Sequence, residues 1–190
     1  MNVAPFTQLE RARAGEITPE VRVVAQDEGR DPEDVRAEIA LGTIVIPANV
    51  HHKTLHPVGV GKSLRTKINA NIGNSKLGSS LAEEMEKLET SVRYGADAVM
   101  DLSTGADLDE IRSSIIAASP LPVGTVPVYA AAAKVTQFVD LSADDLLDEL
   151  RHQAAQGVDF FTIHVGLIRA HLPLIQDRLT GIVSRGGSLM

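Results

Sequence analysis

From residue 67 onward, short apolar segments with a strand-like pattern alternate with amphipathic segments of helical period. Helices separate the predicted strands, which are 67–72, 98–102, 122–129 and 159–165, with a fifth beginning at 181. Apolar strands that alternate with helices are typical of a parallel sheet covered by helices. The pattern therefore predicts an α/β fold, either an open doubly wound sheet or the first half of a (β/α)8 (TIM-like) barrel.

Local signals indicate where the helices begin and which faces they bury. Ser80 and Glu83 form a capping box before the first of these helices. The helix that begins at Ser142 is expected to bury one apolar face, made of Leu146, Leu150 and Ala154. The acidic stretch 83–89 predicts a solvated helix surface.

The first 64 residues follow a different pattern. Short helices are predicted there, with starts at Thr18-Pro19 and Asp31-Pro32, and a loop containing Gly and Pro follows. We therefore expect two regions. Residues 1–64 form an N-terminal helical and loop region, and residues 65–190 form a partial (β/α) barrel that is truncated after the start of the fifth strand.

Composition excludes several classes of function. The net charge is -7, and the chain has no Trp and only four Phe and two Tyr, so neither a basic nucleic-acid footprint nor a base-stacking surface is expected. Cys is absent, which excludes disulfides, thiolate metal ligands and a cysteine nucleophile. The apolar run 126–133 is far shorter than the roughly 20 residues that span a bilayer. We expect a cytoplasmic protein that binds neither nucleic acid nor membrane.

Polar residues gather at the carboxyl ends of the predicted strands, which is the ligand-binding edge of both candidate folds. They are Asn71, Asp101, Ser103, Tyr129, His164, Ser184 and Arg185. In the first strand Asn69 and Asn71 alternate with Ile68, Ala70 and Ile72. We expect the amides to face a polar ligand and the apolar residues to face the helices.

Two histidines have the spacing of metal ligands on a helix, but they do not lie in a predicted helix. His52 and His56 are four residues apart, as ligands on one helix face would be. They lie in a predicted loop interrupted by Pro57, and no carboxylate is placed to complete the set. We expect both histidines to be solvated.

Five motifs, in order and spacing, resemble the phosphomethylpyrimidine synthase (ThiC) family. They are K-I-N-A-N-I-G-N-S, G-A-D-A-V-M-D-L-S-T-G, S-P-L-P-V-G-T-V-P-V-Y, G-V-D-F-F-T-I-H-V-G and R-L-T-G-I-V-S-R-G-G-S. The resemblance implies a radical S-adenosylmethionine lyase of thiamine biosynthesis on a (β/α)8 barrel. Such an enzyme converts 5-aminoimidazole ribonucleotide to 4-amino-5-hydroxymethyl-2-methylpyrimidine phosphate.

The resemblance also implies a set of substrate-binding residues, which are Asn71, Met100, Tyr129, His164, Ser184, Arg185 and Gly186. In the full-length family it implies a 4Fe-4S cluster, S-adenosylmethionine and zinc. The cluster and metal ligands of that family are not found in this chain, so no catalytic residue and no metal ligand is assigned here. The small-molecule substrate is the expected partner, and a homodimer is the expected assembly.

Because a 4Fe-4S cluster needs thiolate ligands and the chain has none, we expect the chain alone to be inactive. It would then be the N-terminal portion of such a lyase. Two alternatives remain open. One is the paralogous 5-hydroxybenzimidazole synthase, which uses the same substrate. The other is a non-catalytic, truncated half-barrel that binds a nucleotide.

Overall fold

The computed structural model of the chain describes residues 7–75, 78–166 and 168–189. Three short helices and a two-stranded antiparallel ribbon come first. These elements are α1 (Gln8–Arg13), α2 (Pro19–Asp27), α3 (Pro32–Leu41), β1 (Ile44–Val45) and β2 (Val60–Gly61). They pack around one apolar cluster, made of Ala12, Val21, Val24, Ala25, Val35, Ile39, Ile44, Ile46 and Leu64.

Two of these helices begin where the sequence predicts. The Thr18 hydroxyl accepts a hydrogen bond from the Val21 N–H, and the Asp31 carboxylate accepts one from the Glu33 N–H. Each cap is followed by proline at the first helical position, where a missing N–H costs nothing. Both predicted starts are confirmed.

The second part of the chain alternates strands and helices. Its elements are β3 (Asn69–Ile72), α4 (Leu81–Arg93), β4 (Ala98–Asp101), α5 (Leu108–Ala118), β5 (Val123–Thr125), α6 (Pro127–Ala133), α7 (Ala143–Gln156) and β6 (Phe160–Phe161). The four strands form a parallel sheet in the order β3-β4-β5-β6. The predicted α/β class and parallel sheet are confirmed.

Strand register divides the sheet into two faces. One row across the sheet contains Asn71, Met100, Gly124 and Phe160, which are paired strand to strand. The next row, on the opposite face, contains Ile72, Asp101, Thr125 and Phe161. We call the face with Met100 the inner face and the opposite one the helix face. On the helix face Ile72, Val99 and Val123 pack against Leu88, Ile111, Ile115 and Ile116.

The predicted fifth strand is wrong. Residues 181–184 have no regular structure, and a five-residue helix, α8 (Arg185–Leu189), follows them. A further strand needs a neighbour that offers a row of backbone groups, and β6 is only two residues long. A 3-10 helix at Arg169–Ile175 precedes this segment instead of an α-helix.

The predicted third strand is also too long. Only Val123–Thr125 forms β5, and Pro127 then begins α6. Proline has no N–H to continue a strand ladder, but it is well suited to the first turn of a helix. Tyr129 therefore lies on α6 and not at the end of a strand.

The helices bury more charge than their sequence patterns indicate. Glu84 of α4 is fully buried, although the acidic stretch around it predicts solvated surface. In α7, Glu149 and Gln153 are buried, whereas the predicted apolar face is only half-buried. Glu149 forms an ion pair with Lys134 and accepts a 2.6 Å hydrogen bond from the Gln153 amide. These partners make burial of a carboxylate tolerable.

Candidate functional site

The inner face of the sheet carries a small apolar cluster beneath the carboxyl ends of the strands. Met100 of β4 is 8% exposed and packs in this cluster with Val126 and Val128. Tyr129 and Phe160 border it and are half-buried. The Thr162 hydroxyl donates to the Met100 sulfur across 3.6 Å. Met100 therefore forms the apolar floor of this part of the inner face.

His164 links three of the predicted site residues above this floor. Its Nε2 lies 3.1 Å from the Ser184 hydroxyl oxygen. Its ring centroid is 6.5 Å from that of Tyr129. A Cβ atom on Gly186 would lie 2.3 Å from the His164 ring, so only glycine allows this close approach.

Arg185 contributes the positive charge of this group. Its guanidinium carbon lies 5.6 Å from the centroid of the Tyr129 ring, within the range of a cation–π contact. The Arg185 side chain is exposed, so its N–H donors face the solvent side of the cluster. The structure thus brings together Tyr129, His164, Ser184, Arg185 and Gly186, with Met100 below.

Asn71 stands at one side of this group. It is the register partner of Met100 on the neighbouring strand, and it is exposed. It lines a shallow cavity of about 560 Å³ together with Lys87 and Thr90 of α4. The Asn69 amide donates a hydrogen bond of 3.0 Å to the Asn71 side-chain oxygen, as expected for two residues on one face. The prediction that Ile68 faces the helices is wrong, because Ile68 precedes β3 and is 59% exposed.

The ends of β3 and β4 approach each other more closely than side chains would permit. Gly73 follows β3 with φ +141°, a conformation that L-residues rarely adopt. A Cβ there would lie 2.6 Å from the Ser103 nitrogen and 2.7 Å from the Leu102 carbonyl carbon. The two loops that leave the sheet at this edge are therefore in backbone contact.

Asn74 joins the same two loops with its side chain. Its Oδ1 accepts a 3.1 Å hydrogen bond from the Gly105 N–H, and its Nδ2 donates a 3.2 Å hydrogen bond to the Ala106 carbonyl. Asn74 is 6% exposed, and with Gly105 it lines a cavity of about 590 Å³ at this edge. Strand-end position alone does not single out Asn74, since the residue comes after the glycine that ends β3. The signal that could have found it is a second short amide directly after that glycine.

Asp101 lies on the helix face at the end of β4 and is buried. Burial raises the pKa of its carboxyl group, and the nearby Glu84 carboxylate adds to the rise. Hydrogen bonds from Ser103 and the charge of Arg112 oppose this rise without cancelling it. Asp101 accepts a 3.0 Å hydrogen bond from the Ser103 N–H, so it stabilises the loop after β4 and does not face the inner cluster.

The opposite edge of the sheet contains a buried ion pair. His52 Nδ1 lies 2.7 Å from the Asp159 carboxylate, and both side chains are fully buried. His52 Nε2 lies 2.9 Å from the Ser119 carbonyl oxygen. The prediction that His52 is solvated is wrong, whereas the side chain of His56 is 58% exposed.

Both ring nitrogens of His52 therefore face acceptors, which favours the doubly protonated imidazolium. Burial by itself would lower the pKa of His52. The hydrogen bond and charge of Asp159, together with the carbonyl contacts, outweigh it and raise that pKa above its usual value. The pair lies at the amino ends of the strands, away from the inner cluster. It holds the loop 49–54 against the sheet.

Two classes of feature are not found in the part of the chain that the structure describes. No group of three or more His, Asp or Glu side chains is arranged to hold a metal ion. None of the described helices has the length and apolar character needed to cross a membrane.

The sequence belongs to a known class of protein. Residues 7–190 match the profile of the radical SAM ThiC family, and the chain belongs to that family. The phosphomethylpyrimidine synthase of Halobacterium salinarum is 54% identical to it over 184 residues, which is 97% of this chain. Those of Natronomonas pharaonis and Haloarcula marismortui are each 53% identical, over 184 and 185 residues. The chain spans 39% of the length of the first two relatives and 38% of the third.

Proposed function

We propose that this chain is the N-terminal portion of a phosphomethylpyrimidine synthase. The complete enzyme would be a radical S-adenosylmethionine lyase that converts 5-aminoimidazole ribonucleotide to the hydroxymethylpyrimidine phosphate of thiamine biosynthesis. The observation that carries the proposal is the convergence of Tyr129, His164 and Ser184–Gly186 above Met100. The similarity to named synthases over 97% of the chain supports it.

The convergent residues have the chemistry that this nucleotide requires. The Arg185 guanidinium, 5.6 Å from the Tyr129 ring, would bind the phosphate with charge-assisted hydrogen bonds. His164 Nε2, now bonded to Ser184, would exchange that partner for a ribose hydroxyl or a ring nitrogen. Met100 and Tyr129 would pack against the imidazole ring, and Asn71 would supply an amide at its edge. These residues bind and orient the substrate.

The residues of this chain do not fit the cofactors that the family uses. A 4Fe-4S cluster is held by cysteine thiolates, and the sequence contains no Cys. The described residues likewise offer no set of metal ligands for zinc. We propose that the remaining length of the full enzyme supplies both sets, and that S-adenosylmethionine is cleaved there. We propose no chemical step for residues of this chain.

We also propose that residues 65–190 form part of a (β/α)8 barrel and that residues 1–64 form a separate N-terminal region. The parallel strands follow each other in sequence order, as barrel strands do. Separate apolar clusters in the two regions support the division. From the resemblance to the ThiC family, we also propose that the enzyme is cytoplasmic and forms a homodimer. Sedimentation of the full-length enzyme would test the dimer.

Product formation tests the proposed function. The full-length enzyme with reconstituted cluster, reductant, S-adenosylmethionine and 5-aminoimidazole ribonucleotide should yield 5′-deoxyadenosine and the pyrimidine phosphate. The present chain alone, treated identically, should yield no more 5′-deoxyadenosine than a control without protein. Failure of the full-length enzyme to form the pyrimidine phosphate would refute the proposed activity. Turnover by this chain alone would refute the assignment of the cofactor sites to the rest of the enzyme.

A further inference from the structure

We propose that Asn74 is a positioning residue for substrate binding, which holds the loop after Met100 against the end of the strand that carries Asn71. This inference rests on the proposed function, because it assumes that Asn71 and Met100 contact the ribonucleotide. Asn74 is not itself placed on the substrate.

Asn74 bonds to four successive residues of the loop 103–106. Its backbone N–H donates to the Ser103 hydroxyl across 3.1 Å, and its backbone carbonyl accepts from the Thr104 N–H across 3.0 Å. Its side-chain amide bonds to the next two residues, accepting from the Gly105 N–H and donating to the Ala106 carbonyl. One residue therefore fixes the course of the whole loop.

The loop that Asn74 holds begins directly after the strand that carries Met100. Asn71 lies three residues before Asn74 on the neighbouring strand, and Asn71 and Met100 are register partners. Each of these two residues lies one position before the end of its strand, so the bonds that Asn74 makes just beyond the β3–β4 ladder protect this end of the pairing from fraying. Preorganised groups bind a ligand more tightly because less order must be created on binding.

The side-chain chemistry required at position 74 is narrow. The Gly105 N–H needs an acceptor and the Ala106 carbonyl needs a donor, and one amide supplies both. A carboxylate in its place would keep the acceptor but would direct an oxygen at the Ala106 carbonyl. Gly105 completes the fit, since a Cβ there would lie 2.9–3.0 Å from the Asn74 amide.

The test compares Asn74→Ala with Asn49→Ala in the full-length enzyme. Asn49 is a matched control, because its side chain also bonds backbone groups. Its amide donates to the carbonyls of Ala154 in α7 (2.7 Å) and Val158 (2.9 Å), and its oxygen accepts from the His51 N–H (2.9 Å). It does so at the opposite edge of the sheet. Calorimetric titration with 5-aminoimidazole ribonucleotide measures Kd, thermal melts measure stability, and hydrogen exchange follows the amides of residues 103–106.

We expect both variants to lower the melting temperature. Only Asn74→Ala should weaken the ribonucleotide affinity, by about tenfold for two lost hydrogen bonds, and should speed exchange in the loop. Asn74→Asp should also weaken affinity, because it keeps the acceptor for the Gly105 N–H but turns a carboxylate oxygen towards the Ala106 carbonyl. Gly105→Ala keeps Asn74 but displaces its amide, so it should also weaken affinity. If Asn74→Ala does not fold, Asn74→Asp and Gly105→Ala replace it in the test.

Two negative results are distinguishable. If the unchanged enzyme and Asn49→Ala bind the ribonucleotide and the folded Asn74 and Gly105 variants bind it equally well, Asn74 is only structural and the inference is wrong. If the unchanged enzyme does not bind the ribonucleotide at all, the proposed function fails and this inference fails with it.

Discussion

The Asn69 amide nitrogen donates a hydrogen bond of 3.0 Å to the side-chain oxygen of Asn71, on the exposed inner face of β3. One acceptor site of Asn71 is therefore used within the chain, and its NH2 group is the part of the amide suited to meet an acceptor on a ligand. The two residues act as a pair. The Asn69 amide orients the Asn71 amide, which we place at the substrate.

We expect Asn71→Ala in the full-length enzyme to weaken 5-aminoimidazole ribonucleotide binding more than it weakens folding. A lost neutral hydrogen bond is worth about 0.5–1.5 kcal/mol, which corresponds to roughly a few-fold to tenfold in Kd. Titration calorimetry and thermal melts measure the two effects separately. A normal Kd with a lowered melting temperature would mean that Asn71 only braces the sheet edge.

Asn69→Ala is the companion variant, and its effect on ribonucleotide binding is expected to be smaller than that of Asn71→Ala. Because Asn69 reaches the ligand site only through Asn71, its loss should weaken binding less than the loss of Asn71. The double variant should bind no more weakly than Asn71→Ala, since the effects share one hydrogen bond. Additive losses would show that Asn69 contacts the ligand itself.

The His52–Asp159 pair makes stability depend on pH. The pKa of His52 is raised in the folded state, so the folded state binds the proton more tightly than the unfolded state. Its contribution is complete below the unfolded pKa of about 6.5 and is lost as pH rises through the raised folded value. The melting temperature should therefore fall as pH is raised above neutrality.

His52→Gln should remove this part of the pH dependence, since glutamine does not titrate. It should also destabilise the chain, by about 3–5 kcal/mol at pH values where His52 is protonated and by less at higher pH, because the Asp159 carboxylate would remain buried without its cation. His56→Gln is the control, since the His56 and Asp27 side chains are 58% and 48% exposed. Equal pH profiles for the unchanged protein and His52→Gln would contradict the assigned imidazolium.

Gly73→Ala should be one of the most damaging single substitutions in this region. The new methyl group would meet backbone atoms of Leu102 and Ser103 at 2.6–2.7 Å, and φ +141° adds strain. Backbone cannot move aside as a flexible side chain can, so the loops after β3 and β4 would separate. Gly78→Ala is the matched control, because φ there is +107° and no atom of the residues that the structure describes lies within 4 Å of the added Cβ. Thermal melts should show the larger loss for Gly73→Ala, and similar losses would mean that strain alone matters.

The 190-residue chain should self-associate when it is studied alone. Both outer strands of the described sheet, β3 and β6, offer an open edge. Among the described residues between 163 and 183, seven large apolar side chains are exposed, and these are Ile163, Val165, Ile168, Leu172, Leu174, Leu179 and Val183. Light scattering should detect oligomers, and Leu174→Lys with Leu179→Lys should reduce them. A compact monomer at high concentration would argue against the partial barrel.

Local rules predicted the parts of the fold that depend on neighbouring residues. The capping box of Ser80 and Glu83 and the proline starts of α2 and α3 need only a few adjacent positions. The same rules could not anticipate Glu149, because its burial depends on Lys134 in a different element. His52 was misjudged for the same reason, since Asp159 lies 107 positions away.

The candidate site shows the same division. The strand-end rule named His164 and Ser184, which the structure brings within 3.1 Å of each other, although the strand predicted before Ser184 is not formed. Tyr129 reaches this group from a helix, which the rule did not foresee. Asn74 does its work through backbone partners 31 and 32 positions away, and no pattern within one segment reveals such a contact.

The loop 49–54 also has a consequence for the order of events during synthesis. Ribosomes add about 5–20 residues per second, so roughly 5–20 s pass between the emergence of His52 and that of its partner. The apolar cluster of α1–α3 and β1–β2 lies within residues 12–64 and can form in that interval. The loop 49–54 can bond to Ser119 before then, but its bond between His52 and Asp159 joins residues 107 positions apart and can form only after Asp159 emerges. The nascent chain can therefore complete its first compact unit early and complete its attachment to the sheet only when Asp159 arrives.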